Sequence, residues 1–338
     1  MSGPLPALVA VRTAVRGALA ELDIPDSVPL LVACSGGADS TALALAVAAE
    51  SAAGPGKWSP MAAVVDHGLQ PGSAERAEQT VALLAEHGVP GQVLRVQVTG
   101  GGGMEAAARR ARYAALRAAR PSPETPVLLG HTLDDQAETV LLGLGRGSGP
   151  RSLAGMTRYD PPWLRPLLGV RRSTTRAACA ELGVPVWDDP HNADPRFTRV
   201  RLRAEVLPLL EDVLAGGVAE ALSRTAAQLR EDSVALDEWA ALAREDVGLA
   251  ENAGTELEAK KLAAYPPSVR RRVLRGWLTD RGVTGLTDAQ LRQADDLLGR
   301  WRGQGGIALP GQWVLARRHG RLVLEPPRQS SDQLRRQQ

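Results

Sequence analysis

The chain has 338 residues, 44% hydrophobic and 23% charged, the proportions of a soluble globular protein with room for two cores. Its two cysteines, Cys34 and Cys179, form no CxxC pair, which excludes a disulfide scaffold or a zinc ribbon and leads us to expect a cytoplasmic protein. No run approaches the ~18 apolar residues of a membrane span, and a net charge of +2 points by itself to no nucleic-acid partner.

Taken in chain order, the N-terminal apolar stretches are interrupted by Arg12 and Arg16 before a secretory core can form. LLVAC (30–34), bounded by Pro29 and Ser35-Gly36, reads as a buried strand, and TALALAVAAE continues as a helix. MAAVVDH (61–67) predicts a second strand, followed by an amphipathic helix over 73–88 that Gly88 closes. QVLRVQV (92–98) alternates as a third strand, 104–119 is strongly helical, VLLGH (127–131) is a fourth strand, and DDQAETVLLGLG starts another helix. Strands alternating with helices imply a doubly wound parallel α/β sheet, with ligands bound where strand ends meet helix starts. TTRAACAELG (174–183) predicts one more short helix.

The pattern then changes. Residues 211–254 hold ten acidic and three basic side chains, whereas 255–323 hold six acidic and thirteen basic. A helical, acidic connector thus precedes a basic module of two or three helices closed by strands in GGIALP, QWVLARR and RLVLE. We expect a catalytic domain over 1–212, a connector over 213–250, a smaller helix-rich domain over 251–325 and a disordered polar tail over 326–338.

The strand–SGGADS–helix junction (35–40) carries the most chemistry. Gly36 and Gly37 let the backbone turn tightly, and successive N–H groups at a helix start form an anion nest. Ser35 and Ser40 add hydroxyl donors, Ala38 is counted with them as an ATP-binding loop residue, and Asp39 is a candidate ligand for Mg2+. The plainer alternative is a Gly-Ser turn that only links strand to helix. The loop is neither a Walker A motif nor GxGxxG.

SGGADS after a first strand resembles the pyrophosphatase loop of ATP-pyrophosphatases. GHTLDDQAETVLLGLGRGSGPRSLAGM (130–156) resembles the second signature of the tRNA(Ile)-lysidine synthetases. VDHGLQPGS, MEAAARRARYAAL, RPLLGVRR and WDDPHNADPRFTRVRLRAEVLPLLE follow that family's further blocks in order. The resemblance is dense over 28–212 and looser beyond. It implies ATP-dependent attachment of free lysine to the wobble cytidine of a CAU-anticodon tRNA(Ile), and its precedent is a homodimer. It assigns ATP activation and lysine handling to His131, Asp135 and Glu138, and selects Arg112, the arginine before Tyr113, for the ATP phosphates.

On a helix starting near Leu133, Asp134 and Glu138 share a face, and Asp135 lies ~100° round from Asp134. Free lysine carries an ammonium of pKa ~10.4 that must lose a proton before the amine attacks, and Asp135 and Glu138 are the candidates to accept it. The residues do not choose between them. Arg203 is the candidate for a catalytic or tRNA-phosphate contact and Arg199 is second; the family usually has Asn where this chain has Val200. Arg146 and Arg151, in the Gly-rich loop 145–153, and Arg271, Arg272 and Arg275 are candidates for tRNA phosphates, with a solvated face as the alternative. Trp277, Trp301 and Trp313 are candidates for base stacking or for the core.

Three other readings have distinct signatures. A related tRNA thiolase would carry paired CxxC motifs, and a GMP- or NAD-synthetase-like amide ligase would carry an ammonia source. A decayed tRNA-binding protein would have lost the acidic residues of the loop and of HTLDDQAET.

Overall fold

The computed structural model describes residues 5–22, 24–25, 28–54, 58–99, 103–147, 149–190, 194–249 and 256–327. The expected tail from 328 onward, Ser148 of the Gly-rich loop and His191–Ala193 of the WDDPHNADP block lie outside them. Contacts divide the chain into two units, 1–229 and 230–338, with the boundary inside one helix of residues Val218–Asp246 (α10).

The first unit opens with a helix that the sequence reading did not assign, Pro6–Glu21 (α1). Its buried face, Leu8, Val11, Val15 and Leu19, recurs at helical spacing. The arginines that break the apolar run have a partner: Arg12 Nε and Arg16 Nε each lie 2.7 Å from the buried Glu50 carboxylate. Glu181 accepts from the backbone N–H groups of Ala7 and Leu8, both at 3.0 Å, and so satisfies donors at the helix start.

The sheet then builds as expected through Pro29–Cys34 (β1), Ala38–Ala53 (α2), Ser59–Asp66 (β2), Ser73–Glu86 (α3), Gly91–Arg95 (β3), Met104–Ala118 (α4), Val127–Leu129 (β4) and Leu133–Gly145 (α5). Next come a short helix, Pro150–Leu153 (α6), and an unassigned hairpin, Tyr159–Asp160 (β5) with Trp163–Leu164 (β6). Arg172–Glu181 (α7), Thr198–Arg201 (α8), a π-helical turn over Leu202–Val206, Leu207–Val213 (α9) and the start of α10 complete the unit.

Strand order is β3-β2-β1-β4-β6-β5, parallel except for the β5–β6 pair. Alternate residues of β1 serve opposite layers: Leu30, Val32 and Cys34 join a core with α1, α2 and α7, while Leu31 and Ala33 join another with Leu116 and Trp163. Burial on both faces explains why β1 reads as one continuous apolar run. The chain leaves β1 toward β2 on one side and returns to β4 on the other. Between the ends of β1 and β4 therefore lies the crevice in which such sheets hold ligands.

The second unit has the expected helices and strands plus one short extra strand. Glu256–Glu258 (β7) leads into Ala259–Ala263 (α11), Pro267–Thr279 (α12), Asp288–Gly299 (α13), Ile307–Leu309 (β8), Trp313–Arg318 (β9) and Arg321–Glu325 (β10). The antiparallel sheet runs β7-β10-β9-β8. Its core gathers Trp277, Leu257, Leu274, Leu297, Leu315 and Leu322, with Ala240 and Ala243 from the later part of α10. Among the described residues no helix is long and apolar enough to cross a membrane.

Candidate active site

The loop 35–40 occupies the β1–α2 junction. Gly36 has φ +79°, and a Cβ there would stand 2.9 Å from Thr80 Oγ1, so glycine is required on both counts. Ser40 Oγ accepts from Ser35 N at 3.1 Å and donates to the Gly37 carbonyl at 3.1 Å, which fixes the loop from within. The Trp187 N–H donates to the Gly36 carbonyl at 2.9 Å and ties the segment after α7 over the loop. Gly37 at the N-cap has no side chain to cap α2, and among the described residues no side chain accepts from its first N–H groups, which leaves them open to an anion.

A cavity of about 810 Å³ opens beside this loop. Ser35, Gly36 and Gly37 form one wall, the end of β2 with Asp66 and His67 another, and Arg76, Thr80 and Trp187 a third. Arg112 reaches it from α4, where burial lowers the pKa of its guanidinium. Arg109, on the same helix face, donates to Tyr113 Oη at 3.1 Å and stacks over that ring. Of the two arginines, Arg112 lines the cavity.

The acidic group assembles beside the same loop. Thr132 and Asp135 form a reciprocal capping box at the start of α5, in which Asp135 Oδ2 accepts from Thr132 N at 2.8 Å and Oγ1 at 2.9 Å. Asp135 and Glu138 sit one turn apart and face the same side. Asp134 faces elsewhere: it accepts from the backbone N–H of Arg172 at 2.7 Å and lies 3.5 Å from the Arg171 guanidinium. The 100° offset between neighbouring residues separates the two aspartates.

Arg172 joins the parts. Its Nε lies 3.1 Å from Asp39, its Nη2 2.6 Å from Asp135 and its Nη1 3.4 Å from Glu138. In the sequence this residue stands out only as part of the RPLLGVRR block. Nothing local singled it out, because its partners lie 34 or more positions away. Glu138, fully buried, also accepts from Arg203 Nε at 2.8 Å and lies 4.0 Å from Arg199 Nη1. RFTRVRLR therefore delivers Arg199 and Arg203 to the acidic pair. Val200 takes no polar role; its backbone N–H donates to Phe197 in the turn.

Titration follows from these contacts. Burial pushes Asp39 above the ordinary carboxylate range, opposed by Arg172 and by a short hydrogen bond from Thr175. Burial also acts to raise Asp135, but Arg172 and the Thr132 hydrogen bonds outweigh it and hold the group below that range. Burial lowers His131 to about 4, Arg112 and Arg165 adding to the effect against Asp135, so its ring is neutral at physiological pH. Its Nδ1 is buried and has no hydrogen-bond partner.

The remaining arginine candidates divide. Arg146 and Arg151 are exposed around the Gly-rich turn. In the second unit Arg270 is bound to Asp295 at 2.6 and 3.0 Å and to the Tyr265 carbonyl at 2.9 Å, a structural role. Arg271 lies 3.7 Å from Asp295 and Arg272 2.8 Å from Asp237, so each is partly neutralised. Arg275 is partly exposed. Trp277 is fully buried, Trp313 packs against the core, and Trp301 is 38% exposed beneath Arg317.

The parallel sheet, the glycine loop and its cavity define the class of PP-loop ATP-binding proteins, and residues 12–210 match the family model described as PP-loop domain. Residues 257–323 match the model described as TilS substrate binding domain. The tRNA(Ile)-lysidine synthase of Mycobacterium tuberculosis is 60% identical over 299 residues, covering 87% of this chain and 90% of that one. Those of Rhodococcus erythropolis and Nocardia farcinica are 55% and 56% identical, covering 94% and 93% of this chain and 96% and 97% of theirs. The chain belongs to the tRNA(Ile)-lysidine synthase family. In fold it is similar to a U34-tRNA thiolase from Methanococcus maripaludis at a TM-score of 0.53 and 16% identity, over 67% of this chain and 79% of that one.

Proposed function

We propose that this protein attaches lysine to C2 of the wobble cytidine of a CAU-anticodon tRNA(Ile), with ATP as the activating substrate. The observation that carries the reading is the side-by-side placement of an open phosphate loop and the Asp135–Glu138 pair, Glu138 fully buried and Asp135 partly so, with Arg172 spanning Asp39 and both carboxylates. The first supplies an anion site and the second an ammonium site, as ligation of an amine by way of an adenylate requires.

The cytidine O2 attacks the α-phosphate of ATP and pyrophosphate leaves into the nest formed by Ser35, Gly36, Gly37, Ala38, Asp39 and Ser40. Arg112 offsets the charge that builds on the α-phosphate, an arrangement worth more in a partly water-excluded site. The lysine amine, having lost a proton to the Asp135–Glu138 pair, attacks C2. The C2–O bond breaks, and AMP departs with that oxygen. A neutral His131 serves as a hydrogen-bonding partner and not as a cation.

Mg2+ fits the loop in the usual way for nucleotide enzymes, through one carboxylate together with substrate phosphates. No group of three acidic, histidine or cysteine side chains that could hold a metal occurs among the described residues, and Asp39, the carboxylate of the loop itself, accepts from Arg172 Nε at 3.1 Å, a contact that the ion would replace. Bound there, the ion would neutralise phosphate charge. Arg146, Arg151, Arg199, Arg271, Arg272 and Arg275 are assigned to tRNA phosphates on the strength of their charge and partial exposure.

The test is incorporation of radiolabelled lysine into a tRNA(Ile) transcript with ATP and Mg2+. Methionine tRNA and the Asp39→Ala variant serve as controls. Label on tRNA(Ile) alone, lost in the variant, supports the reading. ATP hydrolysis without label transfers the chain to a different reaction.

A further inference from the structure

We propose that Arg172 stands in for the substrate ammonium between Asp135 and Glu138, and gives up that place when the phosphates of ATP arrive. The inference rests on the lysine-ligating reading above and names what controls entry of lysine.

The argument begins with lone pairs. An ammonium entering this site needs carboxylate oxygens that are not already committed. Asp135 Oδ2 is taken by Thr132 N and Oγ1, and Asp135 Oδ1 by Arg172 Nη2 at 2.6 Å. Glu138 Oε1 accepts from Arg203 Nε at 2.8 Å and Arg172 Nη1 at 3.4 Å, and Oε2 from Arg203 Nη2 at 3.3 Å. Every acceptor on the two residues assigned to lysine therefore faces an arginine or the capping threonine. A second cation brought to this neutralised cluster gains little, because its attraction to each carboxylate is cancelled by the guanidinium already beside it.

Arg172 is the member placed to move. Its backbone is anchored, since its N–H donates to Asp134 Oδ2 at 2.7 Å at the start of α7. Its side chain spans the site, with Nε on Asp39 at the start of α2 and both Nη atoms on the acidic pair. A triphosphate in the nest places several negative charges on the Asp39 side of this guanidinium. Turning the head toward them requires no movement of α7. It releases the 2.6 Å contact on Asp135 Oδ1, leaving Arg203 Nη2 3.7 Å away, and one side of Glu138 Oε1, while Arg203 stays on Glu138 and prevents an unpaired buried charge. Lysine then meets the acidic pair with one competing guanidinium fewer only when ATP is present, Arg203 and Arg199 remaining at Glu138. By linkage, ATP must bind more tightly in the presence of lysine by the same factor.

Titration calorimetry of L-lysine onto the full chain tests this, once without nucleotide and once with a saturating nonhydrolysable ATP analogue and Mg2+. We expect lysine to bind roughly tenfold more tightly with the analogue, within the usual range of coupling between sites. In Arg172→Gln the competitor is gone. Lysine should then bind nucleotide-free protein more tightly than it binds wild type, and the analogue should no longer alter its affinity. A residue that merely braced the site would produce the opposite sign, weaker lysine binding in both states. Arg172→Lys, which restores one positive charge, should bring nucleotide-free affinity back toward wild type.

Equal lysine affinity with and without the analogue in wild type, or no binding in either state, overturns the proposal even if the glutamine variant fails to fold. Lysine incorporation into tRNA(Ile), measured on the same preparation, separates the two possible failures. Incorporation without coupling removes the role of Arg172 alone, whereas no incorporation removes the functional reading beneath it.

Discussion

Gly130 and Ser40 meet backbone to backbone: a Cβ on Gly130 would stand 2.9 Å from the Ser40 nitrogen and 3.0 Å from the Asp39 carbonyl. The end of β4 thus supports the start of α2, and the phosphate loop is set by contact with the neighbouring strand as well as by its own sequence. Neither neighbour is a flexible side-chain end, so an added methyl must displace backbone.

Gly130→Ala is expected to raise the KM for ATP and to lower lysine incorporation by roughly 10- to 100-fold, the scale of an ångström-sized misplacement. The overpacking should also remove about 1–3 kcal/mol of stability. Steady-state kinetics and urea denaturation check both effects. An unchanged KM would show that the loop is fixed from within.

Glu138 is fully buried against Arg203 and Arg172. Removing one partner of such a cluster leaves desolvated charge behind, and Glu138→Ala should cost about 3 kcal/mol, toward the lower end of the range for buried pairs. The lower end applies because water can reach Arg203, whose side chain is 33% exposed. Denaturant midpoints measure this, and a loss within error would mean that the arginines relax fully to solvent.

His131 is lowered to about 4 in the folded protein, chiefly by burial. In the unfolded chain histidine titrates near ~6.5. Across the intervening window the unfolded state binds more protons, so this group costs stability as pH falls from about 6.5 toward about 4. His131→Asn should therefore show a smaller drop in melting temperature between about pH 7 and about pH 5 than the parent protein. Calorimetric scans at the two pH values decide it; parallel drops would place the titration elsewhere.

Arg270 and Arg275 share α12 but differ in role. Arg270 and Asp295 are 11% and 9% exposed at their side chains, so Arg270→Ala should lower the melting temperature. Arg275→Ala should leave it unchanged and reduce the slope of log K against log salt for tRNA by ~0.7–0.9, one phosphate's worth. Filter binding over a salt series provides the measurement. No change in slope would remove Arg275 from the RNA surface.

The strands and helices through α5 were legible because each carries its own local signal. LLVAC and MAAVVDH are apolar runs, 73–88 has a helical stripe, and Gly88 closes it. What was missed lacked such a signal. The helix α1 reads as apolar stretches with two intrusive arginines until Glu50 is brought beside them. β5, β6 and β7 span two or three residues each, too short for any period to register.

The loop residues and the carboxylates of HTLDDQAET were identifiable in the chain itself, because nests and capping boxes form between residues a few positions apart. The sequence by itself thus determined the parallel α/β plan, the phosphate loop and the candidate acids. Only the tertiary structure decided which of them meet. It tied Asp134 to the start of α7, retained Arg270 for the core, placed Gly130 under Ser40 and set Arg172 among Asp39, Asp135 and Glu138. Those relationships join segments tens of residues apart. They arise from strand order and the packing of helix ends, which no local pattern encodes.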